Sequence, residues 1–297
     1  MAVYLGVDMG GTASRWVALD ESGGVAARGQ GRGASGLIHD APGLAAFDGA
    51  LADIRAALPD RAIAAHLGIT GAGFSPHPLI EERVGAVFGL PRARFGYSTD
   101  IVLAWHAAFP QGGGCLVSAG TGSVGIFIDA GGAATVVGGR GVLVDDGGSG
   151  AWIALRAIAR LFRVIDDHGH PEGAERLAAA LFTGIGGSDR DALRAFVHGG
   201  DRGRIGMLAV PVAQAARAGD PLALAVIEDA GGELVRLARA LLGRGGPAPV
   251  AFVGGVLGLH PAIRRRIERD LAGTVAFPRI DAALHAAHIA RQKDLTA

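Results

Sequence analysis

In the stretch "LGVDMGGTASRW" (residues 5–16), an apolar run ends at an aspartate and is followed by a Gly-Gly-Thr turn. The residues after the turn are again suited to a strand. Together with the segments on either side it predicts a three-stranded β-meander, with strands at 2–8, 14–20 and 24–29. The loops "MGGTA" and "DESGG" supply the turn residues that a meander needs. The first of these loops places a carboxylate, Asp8, directly beside glycine and threonine.

The same pattern returns in "CLVSAGTGSVGIFIDAGG" (115–132), which begins 110 residues later (115 − 5). Such self-similarity predicts two related halves, each opening with a hairpin whose loop is rich in glycine and hydroxyl groups. We place the boundary near residue 110, which gives domains 1–110 and 111–297. The final helix, 281–292, is a candidate for return to the first domain. Helical patterns dominate the rest of the second half, at 149–163, 173–182, 189–197, 205–217 and 221–242.

Composition excludes several classes of protein. The 297 residues carry equal numbers of acidic and basic side chains, so neither nucleic acid nor an anionic membrane is the expected partner. The single cysteine, Cys115, allows no intramolecular disulfide and no cysteine cluster for a metal. No secretory signal is visible, and no apolar stretch approaches the ~20 residues of a membrane helix. The expected location is the cytoplasm.

Glycine and hydroxyl residues between two strands expose backbone N–H groups in a concavity that suits phosphate. One such loop could be only a tight turn, but two of them, with a third Gly-Gly after "VAFV" (250–253), favour phosphate binding. A Walker A loop is excluded because the only lysine is Lys293. The pattern G-x-G-x-x-G occurs at 31–36 and 120–125, but neither copy has the strand–loop–helix context of a dinucleotide site.

Five segments in order carry a family resemblance: "GVDMGGTAS" (6–14), "STDIVLA" (98–104), "SAGTGSVG" (118–125), "DDGGSGAWIA" (145–154) and "FVGGV" (252–256). This set resembles the superfamily of sugar kinases, heat-shock proteins and actin. Within it, the set is similar to the branch of N-acetylglucosamine kinases, glucosamine kinases and BadF/BadG/BcrA/BcrD ATPases. The resemblance implies an α/β fold of two ribonuclease-H-like (actin-like ATPase) domains with a central cleft. It also implies ATP and Mg²⁺ as cofactors.

The resemblance assigns roles to individual residues. Asp8 is expected to orient the metal, and Asp100 is expected to be the general base in contact with the sugar. The phosphate and nucleoside contacts are expected from glycines and threonines of three loops, namely Gly10, Gly11, Thr12, Gly120, Thr121, Gly122, Gly254 and Gly255. The expected sugar contacts are Ser35, Gly73 and Asp146. For Asp100 an alternative remains, because aspartate before a helix is also a preferred N-cap.

The segment at 145–150 departs from the family pattern Gly-Asp-Glu-Gly-Ser. Asp145 stands at the first glycine, Gly147 stands at the glutamate, and Arg140 replaces the aromatic residue usual just upstream. Ser149 keeps its place and is expected to cap the next helix. These departures lie in the segment expected to contact the sugar and leave the expectation of phosphoryl transfer unchanged.

The function expected from this resemblance is an ATP-dependent phosphotransferase that acts on the 6-hydroxyl of N-acetylglucosamine or glucosamine. The expected partner is therefore a small-molecule amino sugar, with a homodimer left open. Two alternatives share the fold. A reductase-activating ATPase of the BadF/BcrA type would need cysteines for an iron–sulfur cluster, and a non-catalytic sugar-sensing protein would need only the binding site.

Overall fold

The computed structural model describes residues 2–199, 202–271, 273 and 275–295. These residues form two compact units. The first comprises Met1–Gln111 together with Arg279–Ala297, and the second comprises Gly112–Pro278. The C-terminal segment thus belongs to the unit that begins the chain.

The elements up to residue 111 are β1 (Ala2–Met9), β2 (Ala13–Leu19), β3 (Val25–Arg32), α1 (Ala41–Ala57), β4 (Arg61–Ile69), α2 (Pro78–Phe88), β5 (Phe95–Ser98) and α3 (Asp100–Ala108). Those of the second unit are β6 (Cys115–Ala119), β7 (Ser123–Ile128), β8 (Ala134–Gly138), α4 (Gly150–His168), α5 (Glu175–Ile185), α6 (Arg190–His198), α7 (Arg202–Met207), α8 (Ala209–Arg217), α9 (Pro221–Gly245), β9 (Val250–Val253), α10 (Pro261–Asp270) and β10 (Val275–Ala276). The helix α11 (Ala282–Leu295) returns to the first unit.

Each unit contains one five-stranded sheet, and the two sheets have the same topology. The strand orders are β3-β2-β1-β4-β5 and β10-β9-β6-β7-β8. In each sheet a meander of three antiparallel strands is followed by two strands parallel to its first strand. This repeated order confirms the predicted meander and the predicted ribonuclease-H-like fold.

The two faces of the first sheet pack against different helices. Alternate residues of β1, including Leu5, Val7 and Met9, are fully buried in a core with α1 and α2. On the opposite face, Tyr4 joins a smaller apolar cluster with alanines of α11. Asp8 lies on the same face as Tyr4, because successive side chains in a strand alternate between the two faces. The strand thus carries its carboxylate on the α11 side of the sheet.

The helix α11 approaches β1 more closely than any side chain would allow. A Cβ atom on Gly6 would lie 2.1 Å from the backbone oxygen of Ala283 and 2.1 Å from the backbone nitrogen of Ala287. Both alanines are buried on the helix face that meets the sheet. Glycine on the strand and alanine on the helix therefore permit direct contact between the two backbones.

The prediction of one continuous helix over 205–217 was wrong. The structure has two helices, α7 and α8, with Leu208 between them. Pro211 explains the break, because proline lacks an N–H group and is accommodated in the first turn of a helix. The break at Leu208 places Pro211 in the first turn of α8, whereas one continuous helix would place it in the interior.

Within the described ranges, no helix combines the length and the apolar character that crossing a membrane requires.

Gly6→Ala tests the contact between α11 and β1. We expect it to lower the free energy of unfolding by about 3 kcal/mol or more, because backbone atoms, which cannot rotate away, occupy the space of the new methyl group. Urea denaturation of the two proteins measures the difference. Gly31→Ala is the matched control, since Gly31 is also a strand glycine and has no described atom within 4 Å of its Cβ position. A Gly6→Ala variant as stable as Gly31→Ala would contradict the close contact.

Candidate active site

The carboxyl edge of the first sheet brings two of the predicted site residues to the same side. Asp8 lies near the end of β1, and Asp100 follows the end of β5 as the first residue of α3. The strands β1, β4 and β5 are parallel neighbours in that order. Their carboxyl ends therefore meet at one edge, where ligands bind in open α/β sheets.

Asp8 lies in an environment that disfavours its charge. The pKa of Asp8 is raised to about 6, mainly by burial and also by the negative charges of Asp100 and Asp281, while Arg15 opposes the increase. The Arg15 Nη1 atom lies 3.9 Å from Asp8 Oδ2, in register across the β1–β2 hairpin, and the Arg15 side chain is largely exposed. One exposed arginine therefore offsets only part of the carboxylate charge at this edge.

Asp281 is a third carboxylate near Asp8 that the sequence analysis missed. Its Oδ1 atom accepts a hydrogen bond from the Leu284 backbone N–H at 2.9 Å, at the start of α11. Its Oδ2 atom lies 3.2 Å from Arg28 Nη1. The sequence signal, an aspartate before "AALHAAH" (282–288), indicates only a helix cap. Its proximity to Asp8 depends on the return of α11 to the first unit.

The alternative role of Asp100 as a helix cap is wrong. The N-cap of α3 is Thr99, whose Oγ1 atom accepts a hydrogen bond from the Val102 backbone N–H at 3.3 Å. Asp100 is the first residue inside the helix, and its Oδ1 atom accepts from the Ile101 backbone N–H at 2.9 Å. Because the buried Thr99 hydroxyl caps the helix, capping does not account for a carboxylate at position 100.

The first glycine loop is formed by Gly10, Gly11 and Thr12, between β1 and β2. The Gly10 N–H donates to the Ala13 carbonyl at 3.0 Å, which closes the turn. The chain after β3 crosses close beside it, since a Cβ atom on Gly33 would lie 2.5 Å from the backbone of Gly11. Gly11 and Thr12 themselves are exposed, so the outer side of this loop is accessible.

Two further loops lie beside the end of β1. The Ser35 Oγ atom donates to the Thr70 carbonyl at 3.3 Å and accepts from the Leu37 N–H at 3.1 Å. Thr70 in turn donates its N–H to the Met9 carbonyl at 2.9 Å. Gly73 follows in the same loop as Thr70, with a φ of +75° and open space around its Cβ position. The structure thus brings the loops of Ser35 and Gly73 together with the end of the strand that carries Asp8.

The second glycine loop connects β6 to β7 in the second unit. The Gly120 N–H donates to the Gly122 carbonyl at 2.9 Å. The first residues of α4 hold the loop from behind, because the Gly150 N–H donates to the Gly120 carbonyl at 2.8 Å and the Ala151 N–H donates to the Thr121 carbonyl at 3.3 Å. The start of α4 therefore fixes the backbone of the predicted phosphate loop.

The third predicted loop lies next to the second. A Cβ atom on Gly254 would lie 2.2 Å from the Ala119 carbonyl oxygen, and Gly254 has a φ of +108°. Only glycine fits at this position, on grounds of both space and conformation. Ala119 immediately precedes Gly120, so Gly254 and Gly255 border the loop at 120–122.

Asp146 lies against the second glycine loop and is 2% exposed. Its Oδ1 atom accepts from the Ser123 backbone N–H at 3.5 Å, and a Cβ atom on Gly122 would lie 3.0 Å from its Oδ2 atom. Its φ of 59° is in the left-handed region, which is uncommon for a residue other than glycine and recurs at functional sites. Ser149 caps α4 through the Trp152 N–H at 3.1 Å, as the sequence predicted.

The departures from the family pattern at 140–147 compensate one another. Arg140 Nη1 lies 2.9 Å from one carboxylate oxygen of Asp145, and Arg236 Nη2 lies 3.4 Å from the other. A Cβ atom on Gly147 would lie 2.5 Å from Glu233 Oε2. The charge introduced at 145 is therefore paired, and the space beside Gly147 is filled by a glutamate from α9.

The helix α7 packs against the second glycine loop, a contact that the sequence analysis missed. A Cβ atom on Gly206 would lie 3.4 Å from Thr121 Cγ2, so α7 packs directly against the second glycine loop. The next residue, Met207, has 69% of its surface exposed, and Val210 has 47% exposed. The end of α7 and the start of α8 therefore carry exposed apolar side chains.

These features define the class of protein. Two units with equivalent five-stranded sheets, each with a glycine-rich hairpin loop at its first two strands, constitute the fold of actin-like ATPases. The model of the BadF/BadG/BcrA/BcrD ATPase family matches residues 5–288, and the chain belongs to this family.

Solved structures with the same fold include three that cover both chains almost completely. A candidate N-acetylglucosamine kinase from Chromobacterium violaceum is 29% identical, with a TM-score of 0.76 over 96% of this chain and 98% of its own. A second candidate N-acetylglucosamine kinase, from Porphyromonas gingivalis, is 18% identical, with a TM-score of 0.79 over 99% of each chain. A ROK family glucokinase from Streptomyces griseus, solved with glucose and AMPPNP, is 19% identical, with a TM-score of 0.63 over 98% of this chain and 99% of its own.

Proposed function

We propose that this protein is an ATP-dependent amino-sugar kinase that transfers the γ-phosphoryl group of ATP to the 6-hydroxyl of N-acetylglucosamine or glucosamine. Membership of an ATPase family supports the use of ATP. The 29% identity to a candidate N-acetylglucosamine kinase, over almost the full length of both chains, supports the choice of acceptor.

The observation that carries the proposal is the pair of coupled carboxylates at one sheet edge. The charge of Asp100 raises the pKa of Asp8, so the two groups lie close enough to influence each other. The N-cap of α3 is Thr99 and not Asp100, whose Oδ1 atom accepts from the Ile101 N–H inside the first turn. Two carboxylates in one place with different surroundings suit two different roles in a phosphoryl transfer.

Asp100 is proposed as the general base. A carboxylate at the start of a helix can accept the proton of a sugar hydroxyl as that oxygen begins to bond to phosphorus. Its partner, the Ile101 N–H, occupies one carboxylate oxygen and helps to fix the orientation of the side chain. The proton moves from the 6-hydroxyl to a carboxylate oxygen of Asp100, and the sugar oxygen bonds to the γ-phosphorus. The bond between the γ-phosphorus and the β–γ bridging oxygen of ATP breaks, and ADP leaves.

Asp8 is proposed to orient Mg²⁺ through water. The charges around Asp8 fit a cation. Burial and two other carboxylates raise the pKa of Asp8, so a nearby cation would stabilise its charged form. In the described part of the chain no three His, Cys, Asp or Glu side chains form a ready metal site. Mg²⁺ commonly keeps several waters and takes one or two carboxylates, so a single aspartate is compatible with it. When bound, the ion would neutralise charge on the ATP phosphates.

The backbone N–H groups of the glycine loops are proposed to bind the phosphates. Gly10, Gly11 and Thr12 would contribute from the first unit, and Gly120, Thr121 and Gly122 from the second. The hydrogen bonds from α4 to the Gly120 and Thr121 carbonyls hold the second loop in place before ATP binds. Such preorganisation reduces the entropy lost on binding. Gly254 and Gly255, which leave no side chain in the way, are proposed to border the nucleoside.

Ser35, Gly73 and Asp146 are proposed to contact the sugar. Ser35 and Gly73 lie on neighbouring loops at the end of β1, and the open space at Gly73 leaves room for a ligand. Asp146 would accept a hydroxyl hydrogen bond, in addition to the one that it accepts from the Ser123 N–H.

A reductase-activating role does not fit the cysteine content. The only cysteine, Cys115, is fully buried in β6, and burial raises the pKa of its thiol to about 11. A cluster ligand must be an accessible thiolate. This chain therefore lacks the donor set for an iron–sulfur cluster, even if two copies were to share one.

ATP with Mg²⁺ should stabilise the protein against unfolding. At a free concentration one hundred times the Kd, the gain is about 2.7 kcal/mol. Asp8→Asn should remove the part of this gain that requires Mg²⁺ and retain the part that ATP supplies with EDTA. Thermal unfolding with ATP, with and without Mg²⁺, measures both parts. Asp166→Asn is the control, because Asp166 is on the second unit, in α4. If Asp8→Asn and Asp166→Asn respond identically, Asp8 has no part in holding the metal.

Asp100→Asn should lower kcat by a factor of roughly 10² to 10⁴, the usual contribution of a general base. The change keeps the shape of the side chain and leaves the Thr99 cap in place, so stability should change little. The KM values for ATP and sugar should also change little, because the lost interaction belongs to the transition state. Steady-state kinetics with glucosamine and N-acetylglucosamine measure all three parameters.

Asp146→Asn is the comparison for Asp100→Asn. A sugar ligand should affect binding, so we expect a higher KM for the sugar and a smaller change in kcat. Near-full activity of Asp100→Asn would exclude Asp100 as the base. In that case a loss of kcat in Asp146→Asn would transfer the assignment to Asp146.

A further inference from the structure

A surface cavity of about 340 Å³ lies among three helices of the second unit, α4, α9 and α10. Its volume is within the range of sites for small molecules. Four arginine side chains line it, Arg156, Arg160, Arg236 and Arg266, together with Trp152. None of these residues belongs to the glycine loops or to the carboxylate pair described above.

The arginines outnumber the carboxylates of the cavity. Arg160 lies 2.5 Å from Asp229, and Arg236 Nε lies 2.8 Å from Glu233. These two are the acidic residues of the lining, and Arg266 is paired with Asp270 just outside it. Each guanidinium carries five N–H donors, and these ion pairs use only some of them. The cavity therefore offers several N–H donors to an incoming anion.

Arg156 differs from the other three arginines. Its guanidinium carbon lies 5.3 Å from the centre of the Trp152 ring, a cation–π arrangement. Among the described residues, no carboxylate oxygen lies within 4.0 Å of its nitrogens, whereas the other three each have such a partner. The ring thus orients a guanidinium whose charge no neighbouring carboxylate neutralises.

Gly232 adds no side chain to the lining of the cavity. It lies in the interior of α9, where glycine costs about 1 kcal/mol relative to alanine. Close packing requires glycine at the neighbouring position 231, because a Cβ atom there would lie 2.8 Å from Arg266 Cβ and 3.0 Å from the Ile263 carbonyl oxygen. At Gly232 the nearest atom would be Arg266 Nη2 at 3.4 Å, an ordinary contact. Packing therefore does not require glycine at 232, and its lack of a side chain leaves this part of the lining open.

We propose that this cavity binds a small phosphorylated sugar. Guanidinium groups bind phosphate through paired N–H donors, and Arg156 is available to do so without breaking an ion pair. Asp229 and Glu233 would repel a bare anion but accept hydrogen bonds from sugar hydroxyls. The mixed lining thus matches a ligand with a phosphate at one end and hydroxyl groups at the other. This proposal is independent of the proposed kinase activity.

Trp152 provides a reporter in the site itself. Of the three tryptophans, Trp16 and Trp105 are 5% and 3% exposed in the first unit, and only Trp152 lines the cavity. Titration of the full chain with glucosamine 6-phosphate, without ATP or Mg²⁺, should change its fluorescence saturably. Trp152→Phe should abolish the signal. Because no turnover is needed, an inactive kinase would leave this result unaffected.

Arg156→Gln is the decisive variant, since it removes no ion pair and should not disturb folding. We expect it to weaken binding of glucosamine 6-phosphate roughly 10- to 100-fold, the effect of losing one charged hydrogen bond. Arg163→Gln is the matched control, because Arg163 is an exposed arginine of the same helix outside the cavity. Gly232→Leu, which adds a side chain to this part of the lining, is the second variant and should abolish the signal.

Three results would overturn the proposal. The first is the absence of a saturable signal with the unmodified protein. The second is equal binding by Arg156→Gln and Arg163→Gln, or undiminished binding by Gly232→Leu if Arg156→Gln does not fold. The third is inorganic phosphate binding as tightly as glucosamine 6-phosphate, because the carboxylates would then contribute nothing to recognition. Tighter binding of the sugar phosphate, lost with Arg156→Gln, supports the proposal.

Discussion

The contact of α11 with Gly6 is the constraint on which the first unit depends. At this point two backbones meet without an intervening side chain, which requires glycine on the strand and small residues on the helix. The contact closes one face of the sheet and brings the start of α11, with Asp281, within electrostatic range of Asp8. A stretch of chain nearly 300 residues from the N-terminus thereby shapes the surroundings of a carboxylate in the first strand. Packing, charge and the candidate site are linked through one glycine.

In the second unit, too, a glycine lets two backbone segments meet directly, here beside the loop at 120–122. Gly254 lies where any side chain would overlap the Ala119 carbonyl, and so brings the end of β9 against the loop that follows β6. Hydrogen bonds from the start of α4 to Gly120 and Thr121 then fix that loop from behind. The residues that depart from the family pattern support this arrangement, because Asp145 is held by arginines and Glu233 occupies the space beside Gly147. The charge at 145 and the absence of a side chain at 147 are therefore accommodated by their neighbours.

Much of this architecture could be predicted from the sequence, because it depends on local patterns. Alternating apolar residues and glycine turns determine the two meanders, and Ser149 before α4 is a local capping signal. The rest depends on contacts distant in sequence or on competition between neighbours. Thr99 and Asp100 are both good caps, and the sequence alone does not decide between them, whereas the structure gives the cap to Thr99. Asp281 carries no local sign of its position near Asp8, since that position follows from the docking of a distant helix.

The most direct test of the account is the dependence of ATP turnover on the sugar. ADP release by the purified full chain would be measured with ATP and Mg²⁺, in the presence of glucosamine, N-acetylglucosamine, glucose or no sugar, with the phosphorylated product identified by ³¹P NMR. The account predicts ADP release that requires an amino sugar and matches the amount of 6-phosphate ester formed. ATP hydrolysis at the same rate with and without every sugar would contradict it. Tight binding of ATP and amino sugar with no transfer would also contradict it, and would identify a sugar-sensing protein instead.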